Sequence, residues 1–389
     1  MAEVISLGCR LNLSESEDLR AMLAAEPNLV VINSCAVTAE AVRQTRQAIR
    51  RARRAHPDAR LIVTGCAAEV ERAALSALPE VDGLVANQAK LDPRAWNAAT
   101  KQAAPYPTHT RAFIAVQNGC DHACTFCVIP QGRGPSRSLP VSAALREVDR
   151  HLAGGAQEVV LTGVDLTSWG HDLTGAPGLG HLVAAILEAF PDLPRVRLSS
   201  LDGIEIDASL FDLLAHEPRV MPHVHLSLQH GDDLILKRMK RRHLRADAVD
   251  LVARLKASRP EIAVGADLIA GFPTEDDAAH AANRSIIREL GIVHGHVFPY
   301  SARTGTPAAR MPPVAAATIK ARAAELRRVI AAERAAWLHS LLGRPQQVLA
   351  ERDGTGHAPN FARVQLAPGT QAGTIVTVTP TRIVEGLLA

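Results

Sequence analysis

Short apolar, β-branched runs followed by helical periodicity recur from the first residues to about position 300, and this alternation most narrows the fold. Val4-Ile-Ser-Leu7, Leu29-Val-Val-Ile32 and Leu61-Ile-Val-Thr64 read as strands. The first is followed by a helix expected from about Ser14, where Ser14-x-x-Glu17 has the spacing of a capping box. Two more helices are expected at about 38–54 and 68–78. Strands alternating with helices argue a doubly wound parallel sheet, covered on both faces. Residues 88–107, rich in Pro, Ala and Asn, read as a linker.

Beyond that stretch the alternation resumes. Six strands are expected at 113–116, 158–161, 195–198, 223–226, 263–268 and 293–298, with helices at 141–153, 181–189, 209–216, 246–258 and 275–290. Six βα units fall short of the eight that close a full TIM barrel, so a partial (β/α)6 barrel is expected. From about 346 the pattern turns to short strands at 347–350, 361–366 and 373–379, separated by Gly and Pro turns. These suggest a small antiparallel β module, entered through a helix at 318–342. The α/β chain therefore divides at 1–105, 106–342 and 343–389.

The six cysteines fall into two sets of three. Cys9, Cys35 and Cys66 each lie just past the carboxyl end of one early strand, the edge where open α/β sheets bind ligands. One such cysteine would read as an inert buried thiol; three in register read as a metal or cluster site. Cys120, Cys124 and Cys127 sit in one loop, in Asn118-Gly-Cys-Asp-His-Ala-Cys-Thr-Phe-Cys127. Three thiolates leave one corner open on an iron–sulfur cube, whose usual complement is four. Zinc held by this trio and His122 is the alternative, since zinc takes four N or S ligands.

Composition narrows the function classes. The start, Met1-Ala-Glu-Val-Ile-Ser-Leu-Gly, has no basic n-region and reads as a strand, not a signal peptide. No apolar run approaches the roughly 18–20 residues that span a bilayer. A cytoplasmic setting without a membrane partner is expected. Thiols stay reduced there, which favours metal centres over disulfides. Lys and Arg number 43 against 40 Asp and Glu, a formal charge of +3, so a nucleic-acid partner must be argued from clusters and not from net charge.

Two clusters stand out. Arg43, Arg46, Arg50, Arg51, Arg53 and Arg54 lie on the expected helix after Cys35, with 43, 46, 50 and 53/54 on one face and no acid between 42 and 55. Phosphate binding and a solvated face are both open readings, the first favoured because solvated helices normally mix signs. The second cluster, Lys237-Arg-Met-Lys-Arg241-Arg242-His-Leu-Arg245, follows the 229 loop; Arg133 and Arg137 extend the basic character.

The C-x3-C-x2-C loop resembles the signature of radical S-adenosylmethionine (SAM) enzymes. Along its whole length the chain is similar to their methylthiotransferase branch. Matching stretches are Ser6-Leu-Gly-Cys9-Arg-Leu-Asn12, Val31-Ile-Asn-Ser-Cys35-Ala-Val-Thr38, Val63-Thr-Gly-Cys66, Cys127-Val-Ile-Pro130, Leu226-Ser-Leu-Gln229 and Asp267-Leu-Ile-Ala-Gly-Phe-Pro273. The resemblance implies two 4Fe–4S clusters, an auxiliary one on Cys9, Cys35 and Cys66 and a SAM-cleaving one on Cys120, Cys124 and Cys127. It implies that one SAM methylates sulfur on the auxiliary cluster and a second yields the radical that removes the target hydrogen. It also implies SAM contacts at the barrel strand ends, assigned to Gly163, Ser199, Gln229 and Asp267; turn and capping roles are the alternative. Where many radical SAM proteins have a Gly-Gly-Glu-type turn, Thr162-Gly-Val-Asp165 stands.

Three substrate branches follow: tRNA adenosine-37 carrying threonylcarbamoyl, the same position carrying prenyl, and a ribosomal-protein aspartate. Cys35-Ala-Val-Thr38, the arginines after it, and Gly119-Cys120-Asp121 look most like the first. Implied partners are the tRNA anticodon arm, met by Arg43, Arg46, Arg50, Arg53, Arg54, Lys237, Arg241 and Arg242, and a reducing electron donor. The last module resembles the RNA-binding TRAM type but is short, with Arg344, Arg352, Arg363 and Arg382 as its basic residues. Outside this class, a zinc-dependent RNA-binding module is the rival reading.

Overall fold

The computed structural model describes residues 2–98 and 110–389, which pack as two units. The first comprises residues up to 98 with Gln117–Arg137 and Ser301–Ala309; the second comprises 110–116, Ser138–Tyr300 and Arg310–Ala389. The three-part sequence division remains a proposal beside this grouping.

In the first unit four parallel strands lie in the order Glu3–Ser6, Leu29–Ser34, Arg60–Gly65, Gly83–Leu84. Every residue of Leu29–Ser34 is buried. Both its faces are covered, which is why its sequence is a continuous apolar run without alternation. The period of two sends Val30 and Ile32 toward Val42 and Ile49 of helix Ala39–Ala55, and Val31 toward Leu19 and Met22 of helix Arg10–Met22. Both faces are thereby covered by helices, as expected.

Three local expectations are corrected. The first helix begins at Arg10 with Cys9 at its N-cap, not near Ser14; the capping-box spacing lies inside it. The 68–78 helix is two short ones, Cys66–Val70 and Arg72–Ser76, parted at Glu71, whose carboxylate meets Arg303 at 3.1 Å. Of the expected linker, residues 88–98 are packed structure: Lys90 and Trp96 are buried, and Trp96 Nε1 donates to the Lys90 carbonyl at 2.8 Å. Average composition conceals two such anchors. Residues 99–107 of that reading lie outside the described residues.

The second unit holds the six βα units. Ala112–Ala115, Glu158–Thr162 and Arg195–Leu198 pair in parallel, and so do Ser200–Leu201, His223–Gln229, Ala263–Ala270 and Ile292–Pro299. The third strand passes from one sheet to the other through Ser199. The first and last strands are edges, the open barrel that six units allow. Its helices include Val141–Ala153, Leu179–Ala189, Ala208–His216, Arg245–Ser258 and Asp277–Leu290. No helix among the described residues is long and apolar enough to cross a membrane.

After helix Ala316–Ser340 comes a six-stranded sheet, larger than expected. Thr355–His357, Ile383–Val384 and Leu387–Leu388 add strands too short for periodicity to register. One pair, Val364 with Leu388, is parallel, so the module is not wholly antiparallel. The Arg-Val-Arg-Leu sequence of strand Arg195–Leu198 ties this sheet to the barrel. Val196 and Leu198 enter the apolar core, while Arg195 donates to the Gln347 carbonyl at 2.6 Å and Arg197 to the Pro359 carbonyl at 3.0 Å. Arg197 also holds the fully buried Glu158 at 2.8 Å. Burial alone would raise the Glu158 carboxyl; Arg197, Arg111 and Arg195 outweigh it and hold it down to about 2.

Candidate functional site

The carboxyl ends of the first three strands of the N-terminal sheet deliver Cys9, Cys35 and Cys66. Cys9 follows Gly8, whose φ of +92° leaves no comfortable place for a side chain. A Cβ there would lie 2.8 Å from Cys35 Sγ, so glycine is what lets the first loop close on the second. Cys35 directly follows Ser34, the last residue of its strand, and Cys66 opens helix Cys66–Val70.

A buried polar network fixes the three loops. Asn12 Nδ2 donates to the Leu7 and Ser34 carbonyls at 2.7 and 2.9 Å. Ser34 Oγ donates to the Thr64 carbonyl and accepts from Ala67 N at 3.1 Å. Asn33 Nδ2 reaches the Asn12 carbonyl and Ser16 Oγ, both at 3.0 Å. Asn87 Nδ2 approaches Cys66 Sγ at 3.9 Å, a weak bond to sulfur.

The second trio is held by one loop in the same unit. Gly119 forms its neck: at φ +76° a Cβ would sit 1.8 Å from the Pro135 carbonyl oxygen. Cys120 N donates to the Gly134 carbonyl at 3.1 Å, and Cys127 N to the Cys124 carbonyl at 3.2 Å. Asp121 accepts from Ser136 N at 3.0 Å. Ala308 N, from the Ser301–Ala309 segment, donates to the Thr125 carbonyl at 3.0 Å. All three cysteines are half-buried.

The short helix Ile129–Arg133, just beyond Cys127, brings the chain to the first trio. A Cβ on Gly132 would be 3.2 Å from Cys66 Cβ, and the Gly132 carbonyl accepts from Asn87 Nδ2 at 2.6 Å. Arg133 is buried against Glu15 at 3.0 Å, and Lys90 Nζ meets the same carboxylate at 2.5 Å. Burial raises the Glu15 carboxyl, but Lys90 and Arg133 outweigh this and hold it below its ordinary value. Burial pushes the Cys35 thiol up to about 11 against the Val37 backbone and Arg133, and raises that of Cys66 against Arg133 and Lys90. Metal binding at these sulfurs therefore displaces protons. The donor set fits a cluster: three converging thiols, a sulfur-directed amide, and a guanidinium whose Nε has no hydrogen-bond partner among the described residues.

In the barrel, Gly163 follows strand Glu158–Thr162, and Gln229 ends its own strand at φ +69°. Ser199 Oγ is buried without a hydrogen-bond partner among the described residues. Asp267 is not at a strand end, because strand Ala263–Ala270 runs three residues further. Its carboxylate lies 3.0 Å from both His225 Nε2 and His296 Nδ1. Burial raises the Asp267 carboxyl, and the two imidazoles overcome this to hold it far below its ordinary value.

The basic clusters are more committed than their sequence suggests. Acids from outside the helix meet its arginines: Glu71 near Arg46 at 3.8 Å, Glu80 near Arg50 at 3.9 Å and Asp82 on Arg53 at 2.6 Å. Arg53 also bonds the Pro57, Ala59 and Glu80 carbonyls, which makes it a structural residue. Arg43 pairs with Glu40 one turn away. Arg51 and Arg54 are exposed. In the second cluster Arg241 is turned inward onto Asp202 at 2.8 Å and the Ser227 carbonyl. Arg242 pairs with Glu205 at 2.8 Å while staying 45% exposed, and Lys237 is exposed. Arg133, counted with the basic residues that extend the second cluster, is one of the largest fully buried side chains. Sequence reasoning missed Glu15, Lys90 and Asn87; no pattern in the sequence singles them out.

A model of the Radical SAM superfamily matches residues 114–283, and one of the uncharacterized protein family UPF0004 matches residues 2–86. The chain is 41% identical to the threonylcarbamoyladenosine tRNA methylthiotransferase MtaB of Rickettsia prowazekii (strain Madrid E), over 99% of this chain and 96% of the relative. It is 33% identical to the tRNA-2-methylthio-N(6)-dimethylallyladenosine synthase of Novosphingobium aromaticivorans, over 96% and 93%. Among solved structures it resembles the radical SAM methyltransferase TsrM of Kitasatospora setae, with a TM-score of 0.53 at 17% identity, covering 76% of this chain and 66% of that one. That likeness concerns the fold alone.

Proposed function

The chain belongs to the radical SAM methylthiotransferases, and from that premise we propose that it converts N6-threonylcarbamoyladenosine in tRNA to the 2-methylthio derivative. The observation that carries this reading is the 41% identity to a threonylcarbamoyladenosine enzyme over nearly the whole of both chains. The prenyl-adenosine relative stands at 33%. The enzyme forms a C–S bond, with SAM and 4Fe–4S clusters as cofactors.

We assign one cluster to Cys9, Cys35 and Cys66 and the other to Cys120, Cys124 and Cys127. Bound there, the clusters and SAM supply the radical chemistry that replaces an unactivated aromatic C–H, beyond the reach of ordinary side chains. The chain's own residues hold, orient and exclude water. Ser199 offers a spare hydroxyl toward SAM, and Gly163 and Gln229 offer strand-end backbone. Asp267 acts through the imidazoles of His225 and His296.

The tRNA anticodon arm is met first by Arg51 and Arg54, with Arg43, Lys237 and Arg242 as exposed helpers. Arg46 and Arg50 contribute only after leaving their long ion pairs. A reducing electron donor and a cytoplasmic setting complete the proposal. The test is nucleoside mass spectrometry of tRNA incubated with reconstituted enzyme, SAM and reductant. The reading expects the methylthiolated threonylcarbamoyladenosine to appear; product only on prenylated tRNA transfers the chain to the other branch.

A further inference from the structure

The C-x3-C-x2-C loop carries a buried cation six residues beyond its last cysteine. Arg133 closes the short helix after Cys127 and is 1% exposed; its partner Glu15 is 3% exposed, and Lys90, on the same carboxylate, 2%. Arg133 Nη1 lies 3.0 Å from Glu15 Oε1 and 2.8 Å from Asn118 Oδ1, and Nη2 lies 3.2 Å from Glu15 Oε2 and 2.5 Å from Asn12 Oδ1. Lys90 Nζ lies 2.5 Å from Glu15 Oε2 and 3.3 Å from Asn33 Oδ1. Two cations thus share one carboxylate and keep one positive charge inside the protein. Such a charge is costly to bury unless something compensates it. Glu69, on the helix that Cys66 opens, is itself engaged by Arg72 at 3.8 Å.

The unbalanced charge sits where the first trio converges. Glu15 lies on the helix that Cys9 caps, and Gly132, beside Arg133, packs on Cys66. The Arg133 charge acts on all three thiols. A 4Fe–4S core with two positive charges, bound by three thiolates, carries one net negative charge, and reduction by one electron adds a second. Cluster potential depends on such charge and on hydrogen bonds near the sulfurs.

We propose that Arg133, with Lys90 and Glu15, is the built-in counter-charge of the cluster on Cys9, Cys35 and Cys66, delivered by the loop that holds the other cluster. Arg133 is a positioning residue: it touches the carboxylate and amides around the trio and favours the reduced state through its charge. This rests on the cluster assignment above and adds the residues that tune it.

The test uses full-length protein with Cys120, Cys124 and Cys127 changed to Ala, so that only the first cluster remains. Iron content and an EPR-monitored reductive titration are the readouts, with circular dichroism reporting the fold. Arg133→Gln and Lys90→Gln each remove a positive charge and should lower the midpoint potential. Glu15→Gln should raise it. Shifts of about tenfold in the reduction equilibrium are expected, 59 mV for a one-electron couple. Arg133→Lys should leave the potential unchanged. Iron loss from folded Arg133→Gln but not from Arg133→Lys also supports the proposal. Reduction equilibria within twofold of the parent in the Gln variants, or equal iron loss in both Arg133 variants, overturn it. A parent protein holding no iron would sink the cluster assignment instead.

Discussion

The two cysteine trios occupy one packed unit but are built in opposite ways. Cys120, Cys124 and Cys127 depend on a single loop, closed by the Gly119 neck and the bond from Cys120 N to the Gly134 carbonyl. Cys9, Cys35 and Cys66 depend on three strands being in register, with Ser34, Asn12 and Asn33 bonding across the loops between. The local site needs little loop closure and stays half-exposed; the distributed one needs the whole sheet, buries two of its thiols and carries a buried cation. A site open to a changing ligand suits the first construction, while the second buries Cys35 and Cys66 and leaves Cys9 exposed.

That contrast is broken most forcefully by deleting each trio in turn. Changing Cys120, Cys124 and Cys127 to Ala should abolish reductive cleavage of SAM to 5′-deoxyadenosine, followed by chromatography. Changing Cys35 alone should spare that cleavage and reduce methylthiolated nucleoside to background. Methylthiolated product from a Cys35→Ala protein would end the division of labour.

Glycine substitutions sharpen it at lower amplitude. In Gly8→Ala the new methyl meets Cys35 Sγ, and iron should be lost from the first trio while SAM cleavage persists. In Gly119→Ala it meets the Pro135 carbonyl, and SAM cleavage should fall at least tenfold. Each carries about 1–3 kcal/mol of backbone strain, read as a lower thermal midpoint. Equal loss of both functions in both variants would mean that the loops do not act separately.

The smallest effects concern the arginines. Arg53→Gln removes the partner of Asp82 and three carbonyls and should cost roughly 1–3 kcal/mol in denaturant unfolding, with the salt dependence of tRNA binding unchanged. The double change Arg51→Gln and Arg54→Gln should leave stability alone and lower the log–log salt slope by roughly 0.7–0.9 for each phosphate no longer neutralised. An unaltered slope would return these two side chains to solvent.

What was legible followed from periodicity. The parallel sheet, the six barrel strands and most helices stood in the sequence because one face or both had to be apolar. The cysteines were legible because strand ends and short spacings are sequence features. The charge of the arginine stripe was legible but its ion pairs were not, because Glu71, Glu80 and Asp82 reach it only after the chain folds back. The burial of Arg133 was hidden for the same reason: it and Lys90 stand 118 and 75 positions from Glu15, a proximity that only folding creates. The splitting of the 68–78 helix left no trace in composition or pattern.

Iron and sulfide counts on anaerobically reconstituted wild type and on each trio-to-Ala variant, side by side, test the central claim most directly. Two independent clusters predict that each variant keeps about half of the wild-type iron, with a folded circular dichroism spectrum. A folded variant of either kind that holds no iron, or one that holds all of it, contradicts the assignment of one cluster to each trio.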